Sequence, residues 1–187
     1  MLPVARDADN RQRRHLSEAA MKQPHAQPKV KRGNPLLTER IHDPYKAGKK
    51  LPEPTRCREC GAVFVNGRWC WVDVEPTEPH DALCPACHRV KDRYPAGEIV
   101  ISGAFATAHA DEVLSLVRNT ERVERDEHPM HRIMDVQERE HDVVVTTTDV
   151  HLPRRIGHAL EDAWDGELST HYDEGGHFAR VTWRREE

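Results

Sequence analysis

Two Cys-x2-Cys motifs constrain the fold of this chain more than any other feature. They lie at Cys57 and Cys60 and at Cys84 and Cys87, with 23 residues between them. Zinc favours four ligands in a tetrahedron, and each short cysteine turn supplies two thiolates with little strain. The spacing therefore predicts a zinc ribbon that holds one structural Zn2+ ion. A redox-active dithiol pair is the main alternative.

The segment between the two motifs carries the sequence signal of a β-hairpin. Asn66 and Gly67 form the dipeptide that most favours a type I′ turn, because both positions of that turn need a positive φ. With this turn, Phe64 lies opposite Trp69. Cys70 has no second cysteine at a ligand spacing, so we interpret it as an ordinary small side chain of the second strand.

Charge is distributed unevenly along the chain. Met1 to Arg56 contain 13 basic and 6 acidic residues, whereas the remainder contains 15 basic and 26 acidic residues. Residues 1–50 lack a sustained hydrophobic period and are rich in Pro, Gln and Lys, which predicts a largely disordered basic arm. A basic arm on an acidic body indicates a polyanionic partner. The alternative is a tail that serves only solubility.

The remaining residues predict a mixed domain. After a zinc ribbon at residues 51–95, residues 96–187 alternate β-rich and helical patterns in the order βαββαβ, followed by one extra C-terminal strand. We therefore predict an α+β fold class with a ferredoxin-like domain. A turn at Gly175 and Gly176 would place Leu168 opposite Trp183.

No familiar catalytic motif accompanies this fold. The chain lacks a GxxxxGK[ST] phosphate loop, a GxSxG nucleophile elbow and an HExxH metal helix. The best remaining candidate is TTTDVHLPRR, where polar groups converge on a predicted helix N-terminus, a natural place for an anion. The candidate anion site comprises Thr148, Asp149, His151, Arg154 and Arg155. The alternatives are a plain helix cap or, less favoured, an enzyme site at the last four of these residues.

Several segments carry a resemblance to a known family. They are RIHDPYK, KLPEPTRCRECGAVFVNGRW, LCPACHRVKDRYPAG, HPMHRIM and VVTTTDVHLPRRIG. Together, from about Arg40 to Arg184, they resemble a family of small bacterial zinc-ribbon proteins. That family is itself distantly similar to the N-terminal zinc-binding region of the adaptor that exports the large ribosomal subunit. The resemblance implies a zinc site, suggests contact with RNA or the ribosome, and supplies no activity.

The leading hypothesis is a non-enzymatic zinc-binding protein that acts as an RNA- or ribosome-associated adaptor. Basic side chains and one aromatic ring would contact the nucleic acid. These are Lys29, Lys31, Arg32, Arg40, Lys46, Lys49, Lys50, Arg56, Arg68 and Trp69.

The alternative is a protein-interaction module that docks through the arm and the two ribbon tryptophans, Trp69 and Trp71. We expect at least one of these tryptophans to pack against the following domain instead. Because the chain shows neither an apolar run of about 20 residues nor a signal peptide, we expect a cytoplasmic protein with no membrane partner.

Overall fold

The computed structural model describes residues 43–45, 50–74 and 76–187. The predictions for residues 1–42 and 46–49, which make up most of the basic arm, lie outside these residues. The described part is an α+β structure with two β-sheets and four helices. Within these ranges, no helix is long and apolar enough to cross a membrane. The division at residues 50 and 95 stays a prediction.

The first sheet contains four short strands in the order β3-β2-β1-β4. The strands are β1 (Thr55–Cys57), β2 (Val63–Val65), β3 (Arg68–Cys70) and β4 (His80–Ala82), and helix α1 (Pro85–Asp92) follows them. Asn66 and Gly67 both have a positive φ, and Phe64 pairs with Trp69. The predicted hairpin and its register are therefore confirmed. Strand β4 pairs with β1 in parallel, which returns the chain beside the first cysteine motif.

The second sheet contains five strands in the order β6-β7-β5-β9-β8. Its elements are β5 (Gly97–Ser102), α2 (Ala104–Ala108), α3 (Ala110–Glu127), β6 (Ile133–Glu138), β7 (Asp142–Thr147), α4 (Leu152–Trp164), β8 (Glu167–Tyr172) and β9 (Ala179–Arg184). Strand β5 is antiparallel to β7 and parallel to β9.

This strand order does not confirm the ferredoxin-like topology. In that arrangement the strand after the second helix would pair with β5, but here β9 lies between β5 and β8. The side-chain patterns explain the exchange. Strand β9 buries alternate residues, including Val181 and Trp183, whereas β8 is almost entirely exposed. The more apolar strand occupies the interior of the sheet, and the polar strand forms an edge that water can solvate.

The hydrophobic core lies between one face of this sheet and the helices α3 and α4. Ile99 and Ile101 of β5 point into it together with Trp183, and Val117 and Ile156 cover them from the helices. Each of these side chains is fully buried, which contributes about 1.5–3 kcal/mol per aliphatic residue. This core belongs to the second sheet alone.

Prolines mark one limit of each long helix. Helix α3 ends before Pro129, and α4 begins at Leu152 with Pro153 in its first turn. Helices α2 and α3 are separated at His109. The predicted pairing of Leu168 with Trp183 is confirmed.

Gly103, between β5 and α2, provides a test of the packing between the end of β5 and the residue that follows β9. Gly103 has φ +101°, and a Cβ atom there would overlap the backbone of Arg185. Gly176 also has a positive φ, but a Cβ there would meet open space. Gly103→Ala should therefore lower the free energy of unfolding by about 2 kcal/mol or more, and Gly176→Ala by about 1 kcal/mol.

Urea unfolding of the two metal-loaded variants, followed by circular dichroism, measures this difference. Gly176→Ala is the control for a glycine at positive φ that has open space around it. Equal losses in the two variants would contradict the close approach of Gly103 to Arg185.

Candidate metal centre

Four cysteine thiols form a compact cluster at one end of the first sheet. The Sγ atoms of Cys57, Cys60, Cys84 and Cys87 all lie within 4.8 Å of one another, and those of Cys60 and Cys84 are 3.8 Å apart. Sulfurs bonded to zinc at about 2.3 Å in a tetrahedron are about 3.8 Å apart. None of the four forms a disulfide. The cluster can therefore hold a metal ion, as the sequence spacing predicts.

Local backbone structure sets the position of the first two thiols. Cys57 ends β1, and the amide of Gly61 donates to the Cys57 carbonyl at 2.9 Å. Gly61 has φ +78°, a conformation that favours glycine and closes the turn after Cys60. The cysteine motif and the glycine that follows it thus form one tight turn.

The second pair of thiols lies at the start of α1. Cys84 is the N-cap residue, and its Sγ accepts a hydrogen bond from the Cys87 amide at 3.4 Å. The Cys84 amide donates in turn to Cys57 Sγ at 3.4 Å. Amide donors directed at sulfur favour the thiolate, which is the form that binds a metal.

Arg132, immediately before β6, supplies a cation to the cluster. Its Nη2 lies 3.0 Å from Cys60 Sγ and its Nη1 lies 3.3 Å from Cys87 Sγ, while its Nε donates to the Pro129 carbonyl at 2.6 Å. The residue is only 8% exposed. Four thiolates around a divalent ion carry a net charge of about −2, so one guanidinium offsets part of it.

Arg132 and the Cys60 thiol each stabilise the charged form of the other. Burial disfavours the charged guanidinium, but the hydrogen bond to Cys60 raises the pKa of Arg132 above its ordinary value. Hydrogen bonds from the Cys84 thiol, the Ala62 amide and the Arg132 guanidinium lower the pKa of Cys60 to about 4. Burial raises the pKa of Cys87 to about 11. Binding of a metal ion therefore displaces protons from the cluster.

Further contacts join the first sheet to the second around this centre. Met130 packs against the cysteine cluster, and its carbonyl accepts a hydrogen bond from the Thr148 hydroxyl at 2.6 Å. Trp71 Nε1 donates to the Arg125 carbonyl at 2.6 Å. Trp71, which is 37% exposed, is thus bonded to helix α3, a contact of the kind predicted for at least one ribbon tryptophan.

The fifth cysteine lies outside the cluster. The Cys70 thiol donates to the Val63 carbonyl at 3.5 Å across the β2–β3 hairpin. It is an ordinary strand side chain, as the sequence indicates.

The residues predicted to contact nucleic acid are only partly described. Lys29, Lys31, Arg32, Arg40, Lys46 and Lys49 lie outside the described residues. Lys50 pairs with Glu53 at 3.3 Å, and Arg56 pairs with Asp81 at 3.4 Å. Arg68 is exposed beside the hairpin turn, whereas Trp69 is half-buried against Phe64 and the cysteines. Their role in binding nucleic acid stays a prediction.

The side chains of Thr148, Asp149 and Arg155 in the candidate anion site already have partners within the protein. Asp149 Oδ2 accepts the amides of His151 at 2.6 Å and Leu152 at 3.2 Å, which caps α4. Arg155 Nε lies 3.3 Å from Glu124 Oε1, and Arg154 is exposed. The Thr148 hydroxyl is used in the contact with Met130. These contacts fit a helix cap, and anion binding stays a prediction.

Arg132 was not identified as a functional residue from the sequence. It is separated from Cys60 by 72 positions, and no spacing rule connects a single arginine to a cysteine motif over that distance. The only available signal is its position in HPMHRIM, one of the segments that carry the family resemblance.

No protein-family model, no curated protein and no solved structure matches this chain. The resemblance to a bacterial zinc-ribbon family and to the export adaptor therefore stays a prediction. The chemistry of the centre follows from its own thiols and from the arginine that contacts them.

The contacts of Arg132 predict a contribution to metal affinity. Arg132→Met keeps the apolar stem of the side chain but removes the guanidinium and its hydrogen-bond donors. Metal affinity should therefore fall about 10–100-fold. Arg132→Lys should give an intermediate loss, since an ammonium cannot reproduce the planar fork. Competition for Zn2+ with a chromophoric chelator measures both values.

Arg118→Met is the control for the loss of one positive charge, because Arg118 is exposed on α3. Its affinity should equal that of the unmodified protein. An unchanged affinity in Arg132→Met would mean that the guanidinium does not stabilise the metal-bound cysteines.

Proposed function

We propose that the cysteine centre holds a structural Zn2+ ion and that the protein is a non-enzymatic adaptor associated with RNA or the ribosome. The observation that carries the zinc part of the proposal is the cluster of four thiols, which Arg132 contacts from the segment before β6. Thiolate ligands in a tetrahedral set favour zinc. Four protein ligands also complete the tetrahedron, as in structural rather than catalytic zinc sites.

The small core of the first sheet supports a structural role for the ion. Each of its strands is three residues long, and its buried apolar cluster consists of Cys57, Ala62, Cys84 and Ala86. So few apolar side chains cannot offset the entropy of ordering this segment. The free energy of metal binding would supply the difference.

Residues 43–45, near the C-terminal end of the predicted basic arm, contact helix α1 of the first sheet's region. This contact supports a role for the arm together with the ribbon. Asp43 Oδ1 lies 2.7 Å from Arg89 Nη2 on α1, and Arg89 is 4% exposed. The Tyr45 ring lies 4.5 Å from the Arg89 guanidinium, and its hydroxyl donates to Asp92 at 2.9 Å. Of the 13 basic residues between Met1 and Arg56, Lys46, Lys49 and Lys50 follow Tyr45 closely in the sequence, and paired lysines suit the phosphates of a nucleic acid backbone.

Docking of a protein partner through the ribbon tryptophans is the alternative. Trp69 lies against Phe64 with 5.6 Å between ring centroids, and it packs on the cysteine cluster. Trp71 is hydrogen-bonded to the Arg125 carbonyl. Both indoles therefore have partners inside the chain, and we favour the electrostatic adaptor.

The zinc part of the proposal predicts which cysteines are required. The double substitution Cys60→Ser and Cys87→Ser should abolish tight metal binding, because two of the four thiolates are lost. Cys70→Ser is the matched control and should retain it. In Co2+-substituted protein, the sulfur-to-metal charge-transfer absorption should be present for the control and absent for the double variant. Loss of the absorption in Cys70→Ser would place a different thiol in the centre.

The RNA part predicts a steep dependence of binding on salt. Sedimentation of a lysate through sucrose at low salt should place the protein with ribosomal subunits, and high salt should release it. With purified protein and single-stranded ribosomal RNA, replacing Lys29, Lys31 and Arg32 with Gln should reduce the salt slope by about 2, since each phosphate contact contributes about 0.7.

Three exposed arginines of the acidic body provide the control for this charge change. Arg118, Arg122 and Arg139, all replaced with Gln, remove the same total charge and should leave the slope unchanged. The adaptor proposal would fail if the protein stayed at the top of the gradient at every salt concentration. If replacing Trp69 and Trp71 with Ala abolished co-sedimentation with ribosomal subunits but left binding of the purified protein to RNA unchanged, a protein partner would instead be supported.

A further inference from the structure

A second group of metal-ligating side chains lies immediately before Arg132 in the sequence. The carboxylate of Glu124 and the rings of His128 and His131 each offer one ligand atom, and these atoms lie within 4.8 Å of one another. Imidazole and carboxylate suit divalent transition metal ions, and two histidines with one glutamate form a known zinc ligand set. None of these residues belongs to the cysteine centre.

The end of α3 brings the three side chains together. Glu124 is in the last turn of the helix and His128 caps its C-terminus, four residues later and on the same face. The chain then turns at Pro129, and the His131 amide donates to the His128 carbonyl at 2.9 Å. This turn places the His131 ring 4.7 Å from the His128 ring.

The two nitrogens of His131 face two different carboxylates. Nδ1 lies 3.2 Å from Glu124 Oε2, and Nε2 lies 3.5 Å from Asp149 Oδ2. Imidazoles that bind a metal commonly donate their other N–H to a carboxylate, which fixes the tautomer and orients the ring. With the Nε2 proton directed at Asp149, the lone pair of Nδ1 is on the side of Glu124 and His128.

Both carboxylates are held in place by other groups. Asp149 Oδ2 accepts the amides of His151 and Leu152, and Asp149 Oδ1 is buried without a hydrogen-bond partner. Glu124 Oε1 is 3.3 Å from Arg155 Nε, which leaves Oε2 toward His131. The ligand set is therefore oriented before any ion binds.

A simpler interpretation is a protonated His131 between two carboxylates. That interpretation accounts for Glu124 and Asp149 but gives His128 no role. The nearest acidic oxygen to His128 is on Glu127, at the 4.0 Å limit of an ion pair, and the ring is 53% exposed. A metal ion between the three side chains uses all of them.

We propose that Glu124, His128 and His131 form a second metal site that takes Zn2+ or a similar divalent transition metal ion. Asp149 orients His131 within this site. Three protein ligands leave one coordination position for water or another small ligand. The site differs from the cysteine centre in its donor atoms, and it goes beyond the proposed adaptor function without depending on it.

The test uses the full-length protein with its cysteine centre loaded with Zn2+. Titration with Co2+ should show that the protein binds a second equivalent of metal ion. This ion should give no sulfur-to-metal charge-transfer absorption, because its donors are nitrogen and oxygen. His128→Ala should lower the affinity for the second equivalent about tenfold or more and leave the tightly held Zn2+ in place. Glu124→Gln should have the same effect, with circular dichroism reporting the integrity of α3.

His158→Ala is the matched control. His158 is also an exposed helical histidine near a glutamate, 3.4 Å from Glu161 Oε2, and it belongs to no group of three ligands among the described residues. It should bind the second equivalent like the unmodified protein. The proposal is overturned if the unmodified protein binds no second equivalent with Co2+ in excess, or if His128→Ala and His158→Ala behave alike. Loss of the cysteine centre has its own signature, since it removes the thiolate absorption in a Co2+-substituted protein.

Discussion

The contact between the Arg132 guanidinium and the cysteine sulfurs holds the two sheets in one structure. Arg132 is only 8% exposed, so its charge needs a buried anionic partner, and the thiol cluster supplies one. The cluster likewise gains a cation that its own short strands do not offer. Removing either partner would leave an uncompensated charge inside the protein, which is strongly destabilising. The ribbon and the α+β part are therefore interdependent through their charges as well as through Met130 and Trp71.

One short segment, residues 128–132, contributes to both clusters of ligands. Met130 and Arg132 contact the cysteine cluster, whereas His128 and His131 lie beside Glu124. Thr148 fixes the segment, because its hydroxyl and its amide both bond to it, at Met130 and Arg132 respectively. Next to Thr148, Asp149 caps α4 and contacts His131. Thr148 and Asp149, at the end of β7, thus position residues of both clusters.

The parts of the fold that could be predicted from the sequence are those set by local chemistry. The Asn66-Gly67 turn fixes the register of Phe64 with Trp69, and paired cysteine motifs fix the four thiols in space. The position of β9 between β5 and β8 could not be predicted in this way, because it depends on which strand buries more apolar surface after the sheet assembles. Arg132 and the Glu124 group also depend on long-range packing, since a helix end, a turn and a neighbouring strand must meet first.

Charge separation limits where a polyanion would bind. The chain after Arg56 contains 26 acidic and 15 basic residues, a net charge of −11, so this part of the chain as a whole repels a polyanion. Screening confines this repulsion to about 10 Å at ordinary salt concentrations, which still allows contact with a locally basic segment. The ion pair of Asp43 with the buried Arg89 joins residues 43–45 to α1, the helix that has Cys84 at its N-cap. A metal ion that stabilises the start of α1 would therefore also stabilise the helix to which Asp43 is bonded.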